Sequence, residues 1–166
     1  MTENEISKVV VDAALKVHRA LGPGLLESVY EVVLAHELRG RGLMVQRQVP
    51  IPIRYENICF DEAFKADLVV EQKVIVEIKS IERAERVHKK QVLTYLRLAD
   101  MRLGLLVNFG TELIRDGITR LVNGLTDEPT KKLPFAGSAP LREIDTAPLA
   151  PPESQAASTT VTRAGD

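Results

Sequence analysis

The chain has 166 residues, 45% of them apolar and 27% charged, with a formal net charge of −1 and a single cysteine. That length and composition suit one domain with a sizeable core. They exclude a global basic field for nucleic acid, an internal disulfide and any four-cysteine zinc or iron–sulfur site.

The elements follow in chain order. "ENEISKVVVDAALKVHRALG" places Ile6, Val9, Val10, Ala13, Val17 and Leu21 at helical spacing. Gly22-Pro23-Gly24 ends that helix. A second helix is expected from about Leu25 to Leu38, with Gly40 just beyond it. "MVQRQVPIPIRYENI" alternates as a strand, and its Pro50 and Pro52 mark an edge or a bulge. "FKADLVVEQKVIVEIKS", residues 64–80, reads as two strands around a loop at 71–73. "ERAERVHKKQVLTYLRLAD" is a helix, "LGLLVNFG" a buried strand and "DGITRLVNG" a short final one. The order is ααβββαββ, a mixed α/β domain over residues 1–125.

After Leu125 the composition shifts to Pro, Ala, Ser and Thr without apolar periodicity. Such a segment cannot offset its ordering entropy, so residues 126–166 are expected to form a disordered tail. It carries six acidic and four basic residues, which leaves the domain near +1. Limited proteolysis is expected to leave a stable core ending near Gly124. Loss of the cooperative melt on truncation there would overturn this reading.

The hairpin at 64–80 is unusual in its charges. If Val70 pairs with Val74, counting outward sets Asp67 opposite Glu77 and Lys65 opposite Lys79. Facing strand residues lie about 5 Å apart at Cβ, and facing like charges destabilise the pair. Two carboxylates at that spacing suit a hard divalent cation such as Mg²⁺ or Mn²⁺. Lys79, two residues beyond Glu77 on the same face, is placed to orient a nucleophile and offset negative charge. The competing reading is a merely solvated strand face, which the apolar flanks "ADLVV" and "VIVEIKS" make less natural.

Beyond the hairpin, Glu27 falls in the first turn of the second helix, where the dipole alone would favour a carboxylate. Gln91 and Tyr95 lie on one helical stripe with Val87 and Leu98, beside Val92 and Leu96. A glutamine there needs a partner, either a group of the site or the backbone. His18 is expected to be a satisfied core or helix-end histidine, His88 to be exposed, and Cys59 to be a small core residue. Arg83, Arg86, Lys89 and Lys90 gather at the start of the third helix, as a phosphate contact or a solvated face. The polar, acidic N-terminus "MTENEISK" resembles no signal peptide. No apolar run approaches the roughly 20 residues of a membrane span, so a cytoplasmic protein without a membrane partner is expected.

"ADLVV" followed by "VEIK" resembles the PD-(D/E)XK nuclease motif. With "GLLESVY", "KVHRALGPGLLESVYE", "QVLTYLRL" and "GLLVNFG", the wider chain over residues 5–123 is similar to the bacterial GxxExxY protein family. The resemblance implies a nuclease-like core of helix, three strands, helix and strand, with the site on the charged face of the sheet. It assigns Asp67, Glu77 and Lys79 to the metal and catalytic positions. Glu27 and the Ile78 backbone carbonyl join as metal ligands, and Gln91 and Tyr95 form a Gln-x-x-x-Tyr element that braces the site. Lys65 stands where the family would have arginine. The implied activity is Mg²⁺- or Mn²⁺-dependent hydrolysis of nucleic acid, DNA ahead of RNA. The alternatives are a non-catalytic nucleic-acid-binding or protein-interaction module on the same fold, and an RNA- or nucleotide-directed hydrolase.

Overall fold

The computed structural model describes residues 1–124, and the expected tail at 126–166 lies outside the described residues. The elements are α1 (Glu3–Leu21), α2 (Glu27–Gly40), β1 (Val45–Tyr55), β2 (Ile58–Val70), β3 (Val74–Lys79), α3 (Arg86–Leu98), β4 (Leu103–Asn108), α4 (Ile114–Gly117) and β5 (Ile118–Val122). The order matches the one read from the sequence, with the single turn of α4 added before the last strand.

Local chemistry explains where α1 starts and stops. The Thr2 hydroxyl accepts the Glu5 N–H, and the Glu5 carboxylate accepts the Thr2 N–H, so two otherwise orphaned donors are satisfied. At the other end Gly22 has φ +71 and Gly24 φ +101. Both conformations are open to glycine without the Cβ penalty. The chain thus reverses in five residues and delivers Glu27 as the first residue of α2.

The five strands pair in sequence order. β1–β2, β2–β3 and β4–β5 are antiparallel. β3 and β4 are parallel, with α3 as their crossover. β1 is an edge strand, and its register shifts between Ile51 and Ile53, so the prolines mark both features they allowed. One core lies between α1 and α2 and one sheet face: Ile6, Val10, Tyr30, Leu34, Leu68, Val76, Ile78 and Phe109 belong to it. A smaller core lies under α3 and includes Val69, Ile75, Val92, Tyr95 and Leu96. Helices on both faces explain why β3 is buried along nearly its whole length and β4 along all of it.

The simple alternation expected of the hairpin does not hold. Leu68 and Val70 enter the core of α1 and α2, whereas Ala66 enters the core under α3 and Phe64 packs its ring on Tyr95 of α3, 5.2 Å away. β1 behaves likewise. Val45 packs with α1 and α2, while Ile51 packs under α3. Both strands change face at the step where Gln48 and Asp67 would pair, and these two residues are missing from the recorded ladder. Gln48 has φ +50 there. A non-glycine residue in that region costs about 1–3 kcal/mol.

Other expectations change for related reasons. The loop at 71–73 is as read, with Glu71 and Gln72 both at positive φ. The recorded β2–β3 pairs end at Leu68↔Val76, so the Asp67–Glu77 and Lys65–Lys79 pairings are absent. Lys65 instead pairs with Pro50 in β1 and reaches Glu62 at 3.3 Å. β2 starts at Ile58 rather than near Phe64, and the β1–β2 ribbon runs on past β3. Cys59 lies on that extension and is exposed, not core, because no third strand pairs with this part of the ribbon. The third helix starts at Arg86, so its apolar stripe is shorter than read: Val87 is 60% and Leu98 37% exposed.

Candidate active site

Where β2 parts from β3, the freed backbone groups and the charged side chains meet. The Ile78 N–H donates to Asp67 Oδ2 at 2.8 Å. Asp67 therefore occupies the seam between the strands instead of standing on a face. Glu77 follows Ile75 by one strand period and is 2% exposed. Its Oε1 accepts from Lys79 Nζ at 2.8 Å, while its Oε2 is buried without a hydrogen-bond partner. A buried carboxylate oxygen left alone is costly, and structures seldom keep one without a use.

The electrostatics follow from this crowding. Burial, then the neighbouring Asp67 charge, raise the Glu77 pKa from 4.5 to about 7, against the pull of Lys79. Burial also raises Asp67, opposed by the Ile78 N–H and the Lys79 charge, with Glu31 pushing the same way as burial. For Lys79, burial works against the ammonium. The hydrogen bond and charge of Glu77, helped by Glu27 and Asp67, outweigh it and hold the pKa above the ordinary lysine value.

Glu27 is exposed at the head of α2, and its Oε1 accepts the Ser80 N–H at 3.1 Å. The Ser80 hydroxyl donates to the Leu25 carbonyl at 2.6 Å. Together these bonds tie the start of α2 to the residue after Lys79, and the Glu27 charge acts on both Glu77 and Lys79. Gln91 donates from Nε2 to the Tyr95 hydroxyl at 2.6 Å, so its partner is its own helix neighbour. Burial, with the Glu77 charge adding, raises the Tyr95 pKa above the ordinary value, against the Gln91 hydrogen bond. Gln91 and Tyr95 thus form one unit on the charged side of β3.

Arg83, Arg86 and Lys89 line a shallow groove at the start of α3, interrupted by Glu85, and all four, like Lys90, are exposed. Arg83 precedes the helix and Lys90 is off that groove, so the basic residues form a looser set than one helical turn would give. His88 is half-buried and accepts the Glu85 N–H, which caps α3. His18 is buried against the Thr111 carbonyl at 3.0 Å, the satisfied core histidine expected.

Several residues that hold the site stand in motifs of the sequence without a role that the sequence could assign them. Tyr30 is fully buried, stacks on Phe109 at 4.3 Å, donates to the Gly22 carbonyl and accepts the Leu25 N–H. It fixes the turn that presents Glu27. Asn108 is fully buried; its amide bonds both backbone groups of Ile81, and its oxygen also accepts the Gly110 N–H. With the Phe109 N–H on the Lys79 carbonyl, this clamps the exit of the Lys79 strand. A Cβ at Gly110 would lie 2.3 Å from the Ile81 carbonyl oxygen, so only glycine fits. Glu31 is buried and accepts from Arg47 Nε and Gln48 Nε2.

Residues 4–121 match the PD-(D/E)XK nuclease superfamily. The chain belongs to that superfamily. No curated protein and no solved structure matches it. No helix among the described residues is long and apolar enough to cross a membrane.

Proposed function

We propose that this chain is a divalent-metal-dependent nuclease, hydrolysing phosphodiester bonds of nucleic acid at the splayed end of the β2–β3 hairpin. The observation that carries the reading is the buried, unpartnered Glu77 Oε2 beside Asp67 and Lys79. Among the described residues no three His, Cys, Asp or Glu side chains form a ready cage. Mg²⁺ does not need one: it keeps several waters and takes one or two carboxylates plus substrate phosphate. Asp67 and Glu77 fit that demand, and a divalent cation beside them would offset the burial and carboxylate repulsion that raise their pKa values. Glu27 and the Ile78 carbonyl are the proposed additional ligands.

A bound Mg²⁺ or Mn²⁺ would supply charge stabilisation at the scissile phosphate and a more acidic water. The chain's own residues do the rest. Lys79, held above its ordinary pKa, stays protonated and can donate to the phosphate or orient the attacking water. Gln91 and Tyr95 brace the floor. Arg83, Arg86, Lys89 and Lys90 offer contacts for the phosphate backbone, which position without reading sequence. The Gly24-x-x-Glu27-x-x-Tyr30 pattern supports a place in the GxxExxY family, and a bacterial cytoplasmic protein acting on DNA fits the same reading.

The test is a cleavage assay on single-stranded, duplex and branched DNA and on RNA, with Mg²⁺ or Mn²⁺, and with Ca²⁺ and chelator controls. Cleavage that needs Mg²⁺ or Mn²⁺ is the expected outcome. Nucleic-acid binding without cleavage in every arm would favour the non-catalytic module instead.

A further inference from the structure

We infer that Gln48 is a positioning residue for the Asp67 carboxylate, an inference that rests on the metal-site reading above. Among the described residues, the non-glycine residues with positive φ are Gln48, Glu56, Glu71, Gln72 and Asp100. Glu56, Glu71, Gln72 and Asp100 all lie in turns or at a helix end, and of these described residues Gln48 alone lies inside a strand. An unfavourable backbone conformation persists only where surrounding structure fixes it, and such residues cluster at functional sites. Here its consequence is visible. The Gln48 amide nitrogen donates to Glu31 Oε2 at 2.7 Å and to Asp67 Oδ1 at 3.3 Å.

The bond network is continuous. Glu31 is buried in α2 and anchored by Arg47, so it gives Gln48 a fixed acceptor. Gln48 passes that fixed position to one oxygen of Asp67, and the Ile78 N–H holds the other. Both oxygens of Asp67 are thereby oriented by the protein before any ion arrives. The amide also separates two carboxylates, Glu31 and Asp67, with a neutral donor. Partners that orient a ligand in this way commonly set affinity tenfold to a hundredfold.

Gln48→Gly tests this, because glycine accepts the left-handed backbone while removing the amide. Binding of Mn²⁺ to the substrate-free full chain is measured by titration calorimetry, and thermal melting without metal is recorded in parallel. The expected result is a melting transition that stays cooperative and Mn²⁺ affinity weakened about tenfold or more. Gln48→Asn, which also tolerates this backbone region but is one methylene shorter, should weaken binding in the same direction and serves if the glycine variant folds poorly. Gln46→Gly, an exposed neighbour in the same strand, should leave Mn²⁺ affinity within twofold of wild type. If wild type binds Mn²⁺ and both Gln48 variants bind within twofold of it, the positioning role is wrong while the metal site stands. If wild type binds no Mn²⁺, the metal site itself is wrong and the inference falls with it.

Discussion

Lys79→Ala should abolish cleavage, by roughly 10²–10⁴-fold, while keeping the response to metal. Lys79 is the cation that partners Glu77, and the pair is nearly enclosed: the side chains are 16% and 3% exposed. Removing the ammonium leaves the buried Glu77 carboxylate near the Asp67 charge without its cationic partner. In the metal-free protein this should cost roughly 2–3 kcal/mol at neutral pH, limited by the ability of Glu77 to take up a proton. A divalent ion then has more repulsion to relieve. The Mn²⁺-dependent rise in melting temperature should therefore be at least as large in Lys79→Ala as in wild type. Thermal melts across a Mn²⁺ titration, run beside the cleavage assay, separate the two effects. Retained cleavage would remove Lys79 from the chemistry. Loss of the metal response would mean that Lys79 holds the site together instead of acting on substrate.

Glu77→Gln should have the opposite signature: a metal-free protein that gains stability at high pH and no longer responds to metal. The folded pKa of Glu77 is about 7 against an ordinary 4.5. Below 4.5 the group is protonated whether the chain is folded or not, and its contribution is fully present. As pH rises toward 7 the unfolded chain ionises while the folded one holds its proton, so stability is lost across that window and levels off above it. The span is worth about 3 kcal/mol. Burial raises Asp67 as well, so its contribution has the same sign. Glutamine carries no charge and can still accept from Lys79, so the variant lacks the Glu77 part of this slope. Denaturant unfolding in chelator from pH 5 to 8.5 should show wild type falling relative to Glu77→Gln, most steeply below pH 7. A constant difference across that range would show that the folded protein does not raise the Glu77 pKa, and a Glu77→Gln protein that melts with Mn²⁺ as wild type does would show that these carboxylates do not form a cation site.

The element order, the turn at 71–73 and the concentration of charge at Asp67, Glu77 and Lys79 were all legible in the sequence. Each is a local matter. Helical spacing, strand alternation, glycine–proline punctuation and the oddity of charges between apolar runs are properties of a few neighbouring residues. The resemblance of "ADLVV" and "VEIK" to a nuclease motif is equally local, and the superfamily match over residues 4–121 agrees with it.

What the fold alone decided depends on contacts distant in sequence. Regular alternation would set Asp67 against Glu77, but the reversal of both strands at Gln48 turns Asp67 into the seam, onto the Ile78 N–H. Nothing in "RQVPI" announces a left-handed glutamine, because its two acceptors come from α2 and β2, 17 and 19 residues away. Asn108 and Tyr30 look like an unremarkable strand-end amide and a core aromatic until Ile81 and the Gly22 turn are brought against them. Cys59 reads as a core residue because a lone cysteine near a strand is usually a small buried hydrophobe. The sheet left that part of the ribbon unpaired beyond β3, and Ile58 and Phe60 are each 54% exposed. Periodicity in sequence states which residues share a face of one element. Which face is covered, and which buried oxygen is left without a donor, is set only when separate elements pack.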